Sequence, residues 1–186
     1  MNNQLKIISG KFKSRLIKIL DKKSLKPTKS YIRESLFSTI DIKNCQSSLD
    51  LFMGSAILSF EALSRGVKEV TVVEKDRDLI NSVYDNLKKL DTTFQFIINT
   101  DALTFIKNQK RNTYDLIFLD PPYNSNLLDK VLISMKNYDF LKNNKYLFYE
   151  CLKNDKKNYQ EHISDTHDVI KDLSIGDVRY TISKRR

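Results

Sequence analysis

The feature that most constrains the fold is an alternation that begins at residue 48. Short runs rich in β-branched and aromatic residues alternate with segments whose apolar residues recur at helical spacing. Because a tight turn can join only antiparallel neighbours, such crossovers are typical of a parallel sheet, and we predict an α/β fold. The predicted strands are 48–52, 69–73, 94–99, 114–119 and 146–151, with helices near 57–64, 77–90, 102–110 and 126–137.

The C-terminal part of the chain departs from this alternation. Apolar runs at 169–173 and 178–183 flank a short Ser-Ile-Gly-Asp segment, which predicts a closing antiparallel hairpin. The 186 residues contain no linker or repeat, so we expect a single domain. Within it, 1–46 would form an N-terminal extension and 47–186 the core.

The N-terminal extension is predicted to contain a small hairpin and a helix. Two short apolar runs, 5–9 and 15–20, flank a turn at Gly10. After a break at Pro27, helical spacing over 31–40 predicts a helix with Thr28 or Ser30 as its N-cap.

The whole net charge of the chain lies in this extension. The formal charge is +9, and residues 1–33 contain ten basic side chains and one acid, whereas the remaining charges cancel. A solubilising Lys-rich face would explain this, but apolar residues such as Phe12 and Ile17 are interleaved with the bases and favour a folded arm that contacts phosphates. The candidate phosphate contacts are Lys11, Lys13, Arg15, Lys29 and Arg33.

Composition also argues against several classes of protein. No stretch approaches the roughly 20 apolar residues of a membrane span, and the N-terminus lacks the apolar core of a secretory signal, so we expect a cytoplasmic protein without a membrane partner. Cys45 and Cys151 lie far apart without nearby histidines. This spacing indicates neither a zinc site nor a disulfide framework.

The first predicted core strand runs into a glycine-containing loop, Met53-Gly54-Ser55-Ala56, and then a helix. Ligands of open α/β sheets bind beyond the carboxyl ends of strands, so this loop is a candidate cofactor site. Only one glycine of a dinucleotide fingerprint is present, so the loop taken alone could equally be an ordinary strand-to-helix turn.

Acidic residues follow the next two strands. Glu74 ends the second strand, 20 residues after Gly54, which is the offset at which a carboxylate reaches ribose hydroxyls; a surface acid is the alternative. Asp101 could accept a hydrogen bond from an adenine amino group or could cap the following helix. The predicted cofactor residues are Asp50, Phe52, Gly54, Ser55, Glu74, Asp101 and Ala102.

The strongest chemical motif is Asp120-Pro121-Pro122-Tyr123, directly after an apolar strand. Two prolines stiffen the turn, so the Asp120 carboxylate and the Pro121 carbonyl could accept hydrogen bonds from an amino group and draw its nitrogen lone pair toward a methyl donor. Tyr123 would stack on an extruded base. A capped, proline-rich turn is the alternative. Together with the predicted sheet, the motif indicates a Rossmann-like methyltransferase that uses S-adenosylmethionine, without a metal, on a base amino group.

These motifs resemble those of the RsmD-type 16S ribosomal RNA guanine-N2 methyltransferases. The resemblance covers nearly the whole chain and includes Ile7-Ile8-Ser9-Gly10-Lys11-Phe12, Leu25-Lys26-Pro27-Thr28, Ile32-Arg33-Glu34-Ser35-Leu36-Phe37, Leu49-Asp50-Leu51-Phe52, Phe60-Glu61-Ala62-Leu63-Ser64-Arg65-Gly66, Glu74-Lys75-Asp76 and Asp120-Pro121-Pro122-Tyr123. The last motif is shared with DNA adenine-N6, cytosine-N4 and glutamine-N5 methyltransferases, whereas the N-terminal motifs are narrower.

The resemblance implies a class I methyltransferase fold and one guanine of small-subunit ribosomal RNA as substrate, in a partly assembled particle. We expect a monomer, with Arg33 and Phe37 bordering the cofactor and the target base. The chain departs from the family at Ala56 and Ser59, where further glycines are usual. If the loop needs a left-handed residue at Ala56, its methyl group costs about 1 kcal/mol, and we expect weakened cofactor binding. We also expect Ser59 to hold the helix slightly away from the strand.

Two other functions remain open at the level of sequence. A DNA adenine methyltransferase would use the same Asp120 motif but needs a larger target-recognition segment, for which 186 residues leave little room. An RNA-binding assembly factor that no longer holds a cofactor would need neither Asp120 nor Tyr123.

Overall fold

The computed structural model describes residues 3–22, 25–108, 113–123, 125–138 and 140–186. The strands are β1 Gln4–Lys6, β2 Leu16–Lys18, β3 Ser47–Asp50, β4 Glu69–Glu74, β5 Phe96–Asn99, β6 Tyr114–Leu119, β7 Leu141–Leu152, β8 His167–Ile175 and β9 Val178–Arg185. The helices are α1 Ser30–Thr39, α2 Ile57–Ser64, α3 Arg77–Leu90, α4 Ala102–Lys107 and α5 Leu127–Asn137. Short 3₁₀ turns lie at Ile42–Asn44 and Tyr159–His162.

Seven of the described strands form one sheet in the order β5-β4-β3-β6-β7-β9-β8. The first five are parallel, and β9 runs antiparallel between β7 and β8, as the alternation and the closing hairpin predict. The chain moves outward from β3 to β5 and then crosses to β6. The carboxyl ends of β3 and β6 therefore lie at the topological switch point, where open sheets bind ligands.

The central strands are apolar because helices cover both faces of the sheet. Every residue of β6 is buried, and its side chains alternate between two clusters. Phe118 packs with Phe60 and Phe148 on one face, and Leu119 packs with Phe140 on the other. A strand buried on both sides has a continuous apolar sequence, which is why the sequence predicts β6 with the bounds that the structure shows.

The N-terminal extension packs into the first of these clusters. Ile7, Phe12 and Ile17 are buried there, and β1 pairs with β2 as the predicted hairpin. The turn at Gly10 has a φ of +85° and lies against α2, so closely that a Cβ would meet the Ser64 carbonyl oxygen at 1.9 Å. Lys11 N–H donates to the same oxygen at 2.7 Å. Only glycine fits this contact.

Several element bounds differ from the sequence predictions. Strands β1 and β2 have three residues each, and β5 begins at Phe96 rather than at 94. Strand β7 begins at 141 rather than 146, because Leu141 pairs with Tyr114 ahead of a register shift. Helix α4 ends at Lys107, and its predicted last two residues lie outside the described residues.

Helix α1 begins at Ser30 with Lys29 at the N-cap position, so the prediction that Thr28 or Ser30 caps it is wrong. Among the described residues, no helix is both long and apolar enough to cross a bilayer.

Candidate active site

A cavity of about 630 Å³ opens at the carboxyl ends of β3, β4 and β6. Its volume is typical of sites for small molecules, which occupy about 300–1,000 Å³. The fold brings together all eleven residues that were predicted from sequence to bind the cofactor or to act in catalysis. Those lining the cavity are Asp50, Phe52, Gly54, Ser55, Glu74, Asp101, Ala102, Asp120, Pro121, Pro122 and Tyr123.

The loop after β3 does require a left-handed residue at Ala56. Ala56 has φ 57° and ψ 18° and stands at the N-cap of α2. Its N–H donates to the Met53 carbonyl at 2.6 Å, which closes the turn. A Cβ at this conformation costs about 1 kcal/mol relative to glycine. The left-handed conformation at Ala56, on which the sequence prediction depends, is confirmed, whereas weaker cofactor binding stays a prediction.

Ser59 joins the first turn of α2 to the end of β3. Its hydroxyl is fully buried and donates to Asp50 Oδ2 at 2.9 Å, while Phe52 N–H donates to Asp50 Oδ1 at 3.3 Å. Burial raises the pKa of Asp50 to about 7, against these two hydrogen bonds. Ser59 therefore supplies a specific contact between helix and strand, and the sequence did not indicate this partner.

Glu74 holds the glycine loop against the end of β4. Its Oε2 accepts from Gly54 N–H at 3.1 Å and its Oε1 accepts from Asp76 N–H at 2.9 Å. A carboxylate offers about four lone-pair directions, so each oxygen can still accept a further hydrogen bond. The geometry is compatible with the predicted contact to a vicinal diol.

Asp101 caps α4, which is one of its two predicted uses. Its Oδ1 accepts from Thr104 N–H at 3.0 Å, and hydrogen bonding from Thr104 lowers the pKa of the Asp101 carboxyl. The side chain also lines the cavity, so capping does not remove it from the site.

Asp120 lies at the end of β6 beside two other acids. Thr28 Oγ1 donates to Asp120 Oδ2 at 3.3 Å, so this hydroxyl contacts the site and does not cap α1. Burial, followed by the nearby carboxyls of Glu150 and Asp50, raises the pKa of Asp120 well above its ordinary value. Like charges in a dry site disfavour ionisation, so these acids compete for negative charge.

Glu150 is the neighbour of Asp120 on the adjacent strand. Leu119 pairs with Tyr149, so one residue further along each strand the two carboxyls come side by side. Glu150 is 1% exposed, and burial raises its pKa to about 7. Tyr123 Oη donates to Glu150 Oε2 at 3.1 Å, while Glu150 Oε1 is buried without a hydrogen-bond partner among the described residues.

Sequence reasoning missed both Glu150 and the role of Thr28. A signal for Glu150 was available, because it is an acid near the end of an otherwise apolar predicted strand. For Thr28 the local pattern indicated a helix cap, and the competing contact with Asp120 spans 92 residues.

Two residues of the N-terminal motifs do not lie where they were predicted. Arg33 is 3% exposed; its Nη1 donates to Glu61 Oε1 at 2.7 Å and to the Lys6 carbonyl at 3.0 Å. Phe37 is buried edge-on against Phe118, with the Arg65 guanidinium 4.4 Å above its ring. Arg33 therefore belongs to a buried ion pair and not to a phosphate-binding surface, and neither residue lines the cavity.

The other predicted RNA contacts are accessible. Lys11, Lys13 and Arg15 are exposed on the hairpin, and Arg15 Nη2 donates to the Lys89 carbonyl at 3.3 Å. Lys29 is exposed at a separate place, where it lines a second cavity of about 390 Å³. That cavity adjoins the first, since Tyr123 lines both.

The described residues contain no group of three or more His, Cys, Asp or Glu side chains placed to hold a metal ion. Cys45 and Cys151 are both buried free thiols, and burial raises the pKa of each to about 11. Buried thiols of raised pKa are inert in thiol chemistry.

Comparison with known proteins identifies the family of the chain. The family described as "Conserved hypothetical protein 95" matches residues 5–184. A curated relative, "Ribosomal RNA small subunit methyltransferase D" of Buchnera aphidicola, is 35% identical over 151 residues, which cover 80% of this chain and 78% of the relative. The solved structure of yhhF from Escherichia coli is 27% identical, with a TM-score of 0.85 over 98% of each chain.

A more distant solved structure supports the fold alone. The precorrin-6y C5,15-methyltransferase of Geobacter metallireducens is 16% identical, with a TM-score of 0.70 over 90% of this chain and 95% of the other. The chain therefore belongs to the Conserved hypothetical protein 95 family, which is the RsmD family that its motifs predicted, and it has the Rossmann-like fold of class I methyltransferases.

Proposed function

We propose that this chain transfers a methyl group from S-adenosylmethionine to the exocyclic N2 of a guanine in small-subunit ribosomal RNA. The curated relative is named for methylation of this RNA, and the chain spans most of its length. The observation that carries the proposal is that Asp120 and its proline corner line the same cavity as Gly54 and Glu74. An acceptor for an amino group thus faces a cofactor-sized space.

The cofactor side of the cavity would be formed by the glycine loop and the acids beside it. Glu74 would accept from ribose hydroxyls with its free lone pairs, and Asp101 would accept from the adenine amino group. Phe52 lines the same cavity and would supply apolar contact to the adenine. The cofactor would contribute an electrophilic methyl group and a positive charge, which favours ionisation of the nearby acids.

Asp120 and Pro121 would act on the nucleophile. An amino nitrogen conjugated to a base is planar and a poor nucleophile, so acceptors that hold its protons let it pyramidalise toward the methyl group. The bond between the methyl group and the cofactor sulfur would break as the nitrogen–methyl bond forms, which would leave a neutral thioether. Positive charge would develop on nitrogen, and one proton would leave it toward the Asp120 carboxylate or water. Catalysis would then come mainly from alignment and preorganised charge. Tyr123 would stack on the extruded base.

The hairpin would bind the RNA backbone. Lys11, Lys13 and Arg15 are exposed on a turn that Ser64 and Gly10 hold rigidly to the core. Phosphate contacts position an RNA without reading its sequence, so this arm would present the target nucleotide to the cavity. A partly assembled small subunit is the expected form of the substrate.

The proposal is tested with labelled S-adenosylmethionine and three substrates: small-subunit ribosomal RNA, assembling small subunits and duplex DNA. We expect N2-methylguanosine from a ribosomal substrate. Asp120→Ala removes the acceptor and should lower kcat/KM by about 100-fold or more, as removal of a preorganised polar group does. Asp165→Ala, an exposed change remote from the cavity, is the matched control. Methyl label in DNA adenine, or none in any substrate, would contradict the proposal.

A further inference from the structure

The second cavity has the features of a site for a planar base. It is lined by Lys29, Tyr123, Glu150 and Asp177 and adjoins the larger cavity through Tyr123. The aromatic ring of Tyr123 provides a stacking surface beside apolar residues such as Leu152 and Val178, and Lys29, Glu150 and Asp177 supply charged donors and acceptors. A base lying here would direct its edge at Glu150 and its amino group toward Asp120.

Glu150 has the free acceptor that such an edge requires. One oxygen accepts from Tyr123 at 3.1 Å, and the other makes no hydrogen bond of normal geometry among the described residues, although the nearby Thr28 hydroxyl also favours the ionised form of Glu150. Leaving a buried carboxylate oxygen unpaired is costly in a folded protein. A ligand that donates a hydrogen bond at this point would satisfy it.

The chemistry of the bases identifies that ligand. Guanine, adenine and cytosine all carry an exocyclic amino group. Beside it, guanine has a protonated ring nitrogen, N1–H, whereas adenine and cytosine present an unprotonated ring nitrogen with a lone pair. A carboxylate next to the amino group therefore attracts guanine and repels the other two. A site built for a donor strongly rejects an analogue that lacks it.

We propose that Glu150 selects guanine by accepting the hydrogen bond of its ring N1–H in the second cavity. This inference rests on the proposed function. Asp120 and Glu150 would then have separate roles: Asp120 would accept from N2–H, and Glu150 would accept from N1–H. Lys29, whose charge favours the ionised form of Glu150, supports the acceptor state. Asp177 lines the same cavity but is exposed, so water satisfies its oxygens.

The experiment replaces the target guanine by 2-aminopurine in the RNA substrate. This analogue keeps the 2-amino group but lacks the 6-oxo group and has an unprotonated N1, so it removes the hydrogen that Glu150 is proposed to bind, and the Glu150→Gln variant separates that loss from the loss of the oxo group. We measure the ratio of kcat/KM for the two RNAs. Wild type should prefer guanine by roughly 10- to 100-fold, which is the worth of one hydrogen bond to a charged group.

The Glu150→Gln variant should lose most of this preference. Its amide can donate to the bare N1 of 2-aminopurine while its oxygen accepts from the amino group, so the ratio should fall toward unity. Asp177→Asn removes the charge of the other acid in the cavity and should keep the ratio. An unchanged ratio in Glu150→Gln, or a collapse of the ratio in Asp177→Asn, would overturn the inference.

Binding provides a second readout if Glu150→Gln methylates neither RNA. Fluorescence quenching of 2-aminopurine reports its stacking in the protein, and competition with the guanine RNA gives the ratio of affinities. Titration with S-adenosylmethionine verifies folding, because Glu150 does not line the larger cavity. If wild type methylates no guanine at all, the proposed function fails; if it does and Glu150→Gln discriminates as wild type does, only the present inference fails.

Discussion

At the scale of single residues, the acids at three adjacent strand ends explain the chemistry of the site. Asp50, Asp120 and Glu150 end or nearly end β3, β6 and β7, which are neighbours in the sheet. Burial is the first cause of the raised pKa of each carboxyl. Perturbed pKa values cluster at functional sites, because burying an acid costs stability unless the site uses it.

The raised pKa values predict that activity depends on pH near neutrality. Asp120 and Glu150 can accept hydrogen bonds fully only when ionised. Burial raises the pKa of Glu150 to about 7, and burial with the nearby carboxyls of Glu150 and Asp50 raises the pKa of Asp120 well above its ordinary value. We expect kcat/KM to rise as pH increases through about 7 and then to level off. The charged and titratable groups facing Glu150 are Asp120, Tyr123 and Lys29, and Asp50 faces Asp120.

The Glu150→Gln variant distinguishes the two acids in this profile. Removing the Glu150 charge takes away one cause of the raised pKa of Asp120, so the remaining rise should move to lower pH. Glu34→Gln, an exposed change on α1, should keep the wild-type profile. The test measures single-turnover rates with saturating cofactor from pH 5.5 to 9, roughly two units on either side of neutrality. A rate that falls as pH rises would refute the prediction.

At the scale of elements, the glycine loop illustrates what sequence could and could not predict. The strand-loop-helix order and the unusual Ala56 were visible, and the structure confirms the left-handed conformation that makes alanine unfavourable there. The hydrogen bonds that hold the loop were not visible. The Gly54 N–H donates to Glu74 at the end of the neighbouring strand β4, and the Ser59 hydroxyl on α2 donates to Asp50 at the end of β3.

Ala56→Gly should relieve this local strain. We expect the free energy of unfolding to rise by about 1 kcal/mol, or about 2–4 °C in Tm for a chain of this size. If the alanine also disturbs the loop around the cofactor, titration calorimetry should show tighter binding of S-adenosylmethionine.

The matched control is Ala62→Gly in the interior of α2, where the same change should destabilise the protein by about 1 kcal/mol. Equal cofactor affinity in wild type and Ala56→Gly would remove the idea of weakened binding. An unchanged Tm would contradict the cost assigned to the left-handed alanine.

At the scale of the whole molecule, a buried ion cluster joins the N-terminal extension to the core. Glu61 on α2 accepts from Arg33 of α1 at 2.7 Å and from Ile8 N–H at 2.9 Å, and it also pairs with Arg65. Glu61 is fully buried and Arg33 nearly so. Glu61 is therefore one of the anchors of the hairpin that carries Lys11, Lys13 and Arg15, together with the contact between Gly10 and Ser64.

Glu61→Gln should destabilise the protein strongly. The change leaves two guanidinium groups beside a neutral amide, and breaking a buried ion pair from one side costs about 3–5 kcal/mol. Glu69→Gln replaces an exposed acid at the start of β4 and should change the stability little. Urea unfolding of both variants measures the difference, and equal midpoints would show that the cluster does not hold the extension.

The exposed bases of the hairpin should control the salt dependence of RNA binding. Replacing Lys11, Lys13 and Arg15 by glutamine should reduce the slope of log affinity against log salt by about 0.7 for each phosphate that the arm no longer neutralises. A control replaces three exposed lysines outside the arm: Lys130, Lys136 and Lys153. A slope that falls equally in both variants would indicate a diffuse charge effect rather than a binding arm.

The sequence by itself determined the α/β class, the order of its elements and the residues at the strand ends, because each of these depends on local periodicity and on short motifs. The tertiary structure alone decided which distant groups meet. Sheet order places Glu150 beside Asp120, the fold turns Thr28 toward Asp120, and packing of the hairpin buries Arg33 against Glu61. Such contacts arise between residues far apart in sequence, which local patterns do not encode, so the charge state of these acids is a property of the folded chain.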